Sequence, residues 1–258
     1  MIPLVTSSMQ RRTRAGLFAP AYWAAGVDGA RGGWVVVLAG YRPPATAPLR
    51  VQARLCSHFD EVVGLAEQPA TLAVDIPIGL LERATPGGRI CDREARRLLR
   101  RRASSVFSPP ARPALVNTDY RDAMQRNGGG MSKQSYNILP KIAQVDAALT
   151  PALQRRVFEM HPELAFGSLA GAPMRHNKKT PEGRRERVQL LRAAFGSQFR
   201  DPGRVRLELG AAQVALDDVI DAYVLALGAQ RIFRGEAHRV PAREPPRDAK
   251  GLRMEIWY

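Results

Sequence analysis

Four aspartates stand where carboxylate chemistry is feasible. Asp75 interrupts the apolar run TLAVDIPIGL (71–80). An isolated ionised carboxylate in such a run is costly or changes its pKa, so it calls for a partner. Asp28 follows the apolar approach of YWAAGVDGARGGWVVVL (22–38), and Asp218 and Asp221 lie in LDDVIDAYVLALGAQ (216–230). The last two are three residues apart and share a helix face, whereas Asp217 is turned about 100° from Asp218. Carboxylates brought together repel unless a cation lies between them. Hard oxygen ligands suit Mg2+ or Mn2+, and two such ions activate water and stabilise the leaving oxygen in phosphodiester hydrolysis. The structural alternative is that acids at a helix start cap it and offset its dipole, worth about 0.3–1 kcal/mol. Asp221, a turn inside, fits that alternative less well.

Further candidates surround them. In FEMHPEL, alternate residues share a strand face, so Glu159, His161 and Glu163 could complete a metal shell or polarise water. Alternatively, His161 and Glu163 simply end a strand at Pro162. Arg89, Arg93, Arg96 or Arg97, and Arg100 form a stripe at helical spacing, which could track a phosphate backbone or be a solvated face. Arg31, Arg93 and Arg97 are the arginines expected at phosphate. Ser104, Ser105 and Ser108 could line a cleft, though Ser and Pro also dominate ordinary loops, and no general base suits a serine nucleophile.

The elements that must position these groups can be read in order. Residues 22–38 predict a strand hairpin and Leu49–Cys56 a third antiparallel strand. A short helix follows over 57–67, then a strand over 71–78. A basic helix spans about Arg89–Arg102, and SSVFSPPARPAL forces extended or turn structure. A helix broken at Pro140 covers 133–149, a strand that breaks near Pro162 covers 157–166, a charged amphipathic helix 181–195, and an apolar helix Leu216–Phe233, which must be buried. The chain ends in a Pro-rich linker (241–246) and a short strand in RMEIWY. This order describes a mixed α/β sheet. If the strands bearing Asp28 and Asp75 are parallel neighbours, both acids emerge at the edge where open α/β sheets bind ligands.

With 258 residues and 45% hydrophobic content, the chain suits one globular domain over 22–258, with an insertion at about 79–132 and a loosely ordered extension over 1–21. No membrane-spanning run or secretory signal is read, so a cytoplasmic location is expected. Cys56 and Cys91 lack metal-site spacing. Lys plus Arg number 39 against 24 Asp plus Glu, a net charge of +15. That excess is compatible with a polyanionic partner. Lysine occurs only at 133, 141, 178, 179 and 250, so the excess is nearly all arginine, which compositional bias alone could produce.

GVDGARGGWVVV, AVDIPIGL, CDREARRLLRRRASSVFSPP, FEMHPELAF, the Lys-Lys-Thr with GRRER, LDDVIDA and GLRMEIWY together resemble domain-of-unknown-function family 429. That resemblance covers about 24–258. It implies a ribonuclease H-like fold: a five-stranded mixed sheet, three antiparallel strands then parallel ones, flanked by helices. It also implies a nuclease. Holliday-junction resolvases are more distantly similar. They have an aspartate on the first strand, an acid on the fourth and two helix aspartates three apart followed by Ala, matched here by Asp28, Asp75, Asp218 and Asp221. Their lysine after the fifth strand corresponds to Lys178 or Lys179, which would bind phosphate. Asp75 departs from the pattern in being shorter than the glutamate it replaces.

The expectation is therefore a nuclease acting on DNA or RNA, with Asp28, Asp75 and Asp218 holding Mg2+ or Mn2+ and Asp221 and Glu163 assisting. A homodimer is a candidate assembly. The alternatives are a noncatalytic nucleic-acid-binding module and an actin-like phosphotransferase or ATPase, which usually needs two copies of the fold.

Overall fold

A computed structural model of the protein describes residues 19–258. The expected N-terminal extension, apart from its last three residues, lies outside them.

The hairpin forms as expected, from β1 (Tyr22–Ala30) and β2 (Gly33–Tyr41) joined by a two-residue turn. Gly33 closes that turn at φ 137°, and a Cβ there would lie 2.1 Å from the Cys56 carbonyl oxygen. A third strand, β3 (Arg50–Cys56), pairs antiparallel with β2, and β4 (Thr71–Val74) and β5 (Val157–Glu159) add in parallel beyond β1. The order β3-β2-β1-β4-β5 is the ribonuclease H-like arrangement.

The central strands read as unbroken apolar runs because both of their faces are covered. Ala24, Val35, Val37 and Ala39 point into one core, which holds the long helix, while Ala25, Val27, Val36 and Leu38 point into the other. The helices are α1 (Phe59–Val63), α2 (Ile90–Leu99), α3 (Tyr120–Asn127), α4 (Lys133–Asn137), α5 (Leu139–Ala148), α6 (Pro162–Ala170), α7 (Pro181–Phe195), α8 (Pro202–Leu209) and α9 (Leu216–Phe233). A two-stranded ribbon, β6 (Arg239–Val240) and β7 (Ile256–Trp257), sits beside β5 through a parallel bridge from Met160 to Trp257. Against β1, α9 packs backbone to backbone. A Cβ on Gly26 would lie 2.1 Å from both the Ala222 oxygen and the Ala226 nitrogen.

Several boundaries differ from expectation. The fourth strand stops at Val74 rather than running to 78, because the Ile78 amide donates to the buried carboxylate of Glu159 at 2.7 Å instead of to a neighbouring strand. The basic helix ends at Leu99, where Arg100 turns to φ 49°, and continues as a 3-10 turn over Arg100–Ser105. The strand expected over 157–166 breaks by Pro162 as expected but already ends at Glu159, and Pro162 opens α6, as its fixed φ favours in a first turn. Glu163 therefore lies on a helix and shares no strand face with Glu159.

Candidate functional site

Parallel pairing of Val27 with Val74 places the residues that follow them, Asp28 and Asp75, side by side at the carboxyl end of adjacent strands. The Asp75 amide donates to the Val27 carbonyl at 3.0 Å, and the Gly29 amide holds Asp28 Oδ1 at 2.8 Å. From α9, which packs directly against β1, comes Asp221. It is buried, with Oδ2 accepting from Lys178 Nζ at 2.7 Å and Oδ1 buried without a hydrogen-bond partner. Asp218, on the same helix, makes the capping contact weighed against the metal role. Its Oδ2 accepts from the Ala215 amide at 2.8 Å and so caps its own helix.

These carboxyls feel one another. Burial, then Asp75, Asp221 and Asp218, hold the Asp28 pKa well above its ordinary value, with Lys178 opposing. Burial raises Asp75 against His161 and Lys178, raises Asp218, and pushes Asp221 up to about 7 against Lys178. Burial works against the Lys178 ammonium, but Asp221, Asp75 and Asp28 outweigh it and hold its pKa above that of a free lysine.

A second cation is Lys141 of α5. Its Nζ donates to the Gly33 carbonyl at 2.6 Å and lies 4.6 Å from the Trp34 ring centre. Burial lowers its pKa, while Asp28 and Asp218 oppose that. Gly29 makes room for it, since a Cβ there would lie 2.8 Å from Lys141 Cδ.

The donor chemistry fits a hard divalent cation: carboxyls that raise one another's pKa, repulsion only partly offset by Lys178, and an orphaned buried oxygen on Asp221. Among the described residues no three His, Cys, Asp or Glu side chains are grouped to hold a metal ion. In this arrangement, Lys178 supplies the neutralising charge.

A cleft of about 770 Å³ opens beside Asp75, lined by Arg101, Arg102, Arg175, Lys178 and Lys179 on its basic side. Residues 26–245 match the family described as "Protein of unknown function (DUF429)". The chain belongs to the DUF429 family. No curated protein sequence matches it. The solved structure titled "Thermus thermophilus RuvC structure" is 13% identical with a TM-score of 0.35, over 83% of this chain and 97% of that one.

In this DUF429 chain the expected arginine stripe is dispersed. Arg89 is 2% exposed. It pairs with Asp92 at 2.7 Å and Glu159 at 2.6 Å and donates to the Ile78 and Gly79 carbonyls, so it cannot follow phosphate. Arg93 donates to the Gly88 carbonyl, and Arg96 to the Val106 and Gly87 carbonyls. Arg31, Arg93 and Arg97 are exposed but are not among the residues lining the cleft. The side chains that line it come instead from the 3-10 turn and the loop before α7. Glu163 is buried against Arg187, Oε1 to Nη2 2.5 Å, and its Oε2 has no hydrogen-bond partner. His161 borders Asp75 and holds the Ser105 carbonyl through Nε2 at 3.2 Å. Lys141 left no sequence signal, because a lysine far along the chain from Asp28 reveals nothing of contact. The Arg89–Asp92 pair did leave one, an opposite-charge pair at i,i+3 in a helix first turn.

Proposed function

We propose that this protein is a metal-dependent nuclease that hydrolyses phosphodiester bonds of nucleic acid. The observation that carries the reading is the emergence of Asp28 and Asp75 together at the end of the β1–β4 pair, facing Asp221, beside a basic cleft. Asp28, Asp75 and Asp221 would hold Mg2+ or Mn2+, with Asp218 adding charge from behind its cap. When bound, the metal supplies Lewis acidity and a lowered pKa for water. Lys178 holds Asp221 in place and presents its ammonium to a phosphate in the cleft. Lys179, Arg102 and Arg175 orient the rest of the strand by charge.

The test is cleavage of a panel of DNA and RNA substrates by purified protein with Mn2+ or with EDTA. Asp28→Asn and Asp75→Asn should each abolish Mn2+-dependent cleavage. A wild type that cleaves none of the panel and shows no heat of divalent-metal binding by calorimetry sinks the reading.

The second reading is a noncatalytic nucleic-acid-binding module. What favours it is that Lys178 already neutralises Asp221. It predicts salt-dependent nucleic-acid binding that survives loss of both Asp28 and Asp75.

A further inference from the structure

Behind the basic cleft lies a second cavity, of about 290 Å³, at the small end of the range for ligand pockets. Its apolar walls are Leu99, Leu164, Pro173 and Met174. Arg102, Glu163 and Met174 line both cavities, so the two share a wall. One polar atom in that wall lacks a partner: Glu163 is 6% exposed, and its Oε2 is buried without a hydrogen bond. The carboxylate charge is nevertheless balanced. Oε1 is paired with Arg187 at 2.5 Å, and Arg102 Nε lies 3.7 Å from Oε2. With two guanidiniums already present, a third cation would be repelled. What Oε2 lacks is a neutral N–H donor.

We propose that this pocket takes one unstacked nucleobase bearing an exocyclic amino group, from a strand whose phosphates run along the basic cleft. The inference rests on the nucleic-acid reading above and names a substrate class for it: a strand with at least one unpaired adenine, cytosine or guanine. The apolar walls receive the ring, Oε2 of Glu163 accepts from the amino group, and Arg102 stands on the shared wall between base and phosphate. Bases taken out of a stack are characteristically read in this way, by apolar contact and hydrogen bonds to the base edge. Thymine and uracil fit poorly, because their ring N–H is flanked by two carbonyl oxygens that a carboxylate repels.

Glu163→Ala would strand the buried Arg187, so the informative variant fills the pocket instead. A Cβ on Gly167, which lines the pocket, meets only the Ala172 oxygen at 3.8 Å, an ordinary contact. Gly167→Leu should therefore fold normally, checked by an unchanged melting temperature. Fluorescence anisotropy in EDTA would compare a labelled oligo-dT strand with the same strand carrying a central dA. The wild type should bind the dA strand roughly tenfold or more tightly. Gly167→Leu should erase that preference while leaving oligo-dT affinity unchanged. Equal wild-type affinity for the two strands, or a preference that survives Gly167→Leu, overturns the base pocket and leaves the nucleic-acid reading standing. Binding of neither strand overturns both.

Discussion

Lys178 is the cation on which the site's carboxylates depend, and its removal separates their roles. Lys178→Met leaves both oxygens of Asp221 without a partner, at a cost of about 1–3 kcal/mol where Asp221 is ionised. The sign of the pH dependence follows from Asp221, whose folded pKa, pushed up to about 7, exceeds an unfolded value of about 4. Between those values the native state holds a proton that the unfolded chain has released. Stability is therefore fully present below about pH 4 and lost as pH rises through about 7, by about 1.4 kcal/mol for each tenfold change in proton affinity. Urea denaturation in EDTA should show the wild type more stable at pH 5 than at pH 8. The Lys178→Met penalty should appear chiefly at pH 8, and added Mn2+ should stabilise more at pH 8 than at pH 5. At this scale the sequence revealed what strand ends and helix periodicity encode, namely Asp28, Asp75 and Asp221. Position along the helix also separated the two helix acids: Asp218, at the start, reaches the Ala215 amide, whereas Asp221, a turn inside, does not.

Between elements, backbone contact decides tolerance. Gly26→Ala pushes a methyl group into the main chain of α9, and overpacking that cannot be relieved should cost about 3 kcal/mol or more. Gly228→Ala meets only the flexible Met160 side chain, nearest atom Sδ at 2.1 Å, and should cost about 1 kcal/mol. Thermal melts of the two variants measure the difference. The buried Arg89–Asp92–Glu159 cluster pins the segment after Asp75, and Arg89→Met should destabilise by about 3–5 kcal/mol because two carboxylates lose their partner. Arg89→Lys should rescue little, since an ammonium cannot span both acids and two carbonyls. Long apolar elements such as β1, β2 and α9 were legible because their periodicity is their burial. The end of β4 was not, because it depends on Glu159, a residue from the far side of the insertion, capturing the Ile78 amide. Glu163 was misplaced for a local reason: the proline that breaks the strand pattern of FEMHPEL also begins a helix.

For the molecule as a whole, charge indicates a kind of partner and topology gives it a place. A net charge of +15 favours polyanions generally, and composition alone could not locate the contact. The five basic side chains lining the cleft predict single-strand binding whose log affinity falls with log salt at a slope of about −3.5. Lys179→Glu should flatten that slope, measured by anisotropy across a salt titration. Among the described residues no helix is long and apolar enough to cross a membrane. The mixed sheet was legible from the alternation of strands and helices and the adjacency of β1 and β4 from the family resemblance, whereas the placing of Arg101 and Arg102 in the cleft was not, because a turn at Arg100 redirects them. The joint at Gly26 has a mechanical meaning as well. Where side chains separate two elements, heat or hydrostatic pressure changes the gap by shifting rotamers and closing voids. Here main chain rests on main chain, a hard stop with nothing to compress, so the span from the Asp28 strand to the Asp221 helix should hold nearly constant while the surrounding core expands or contracts.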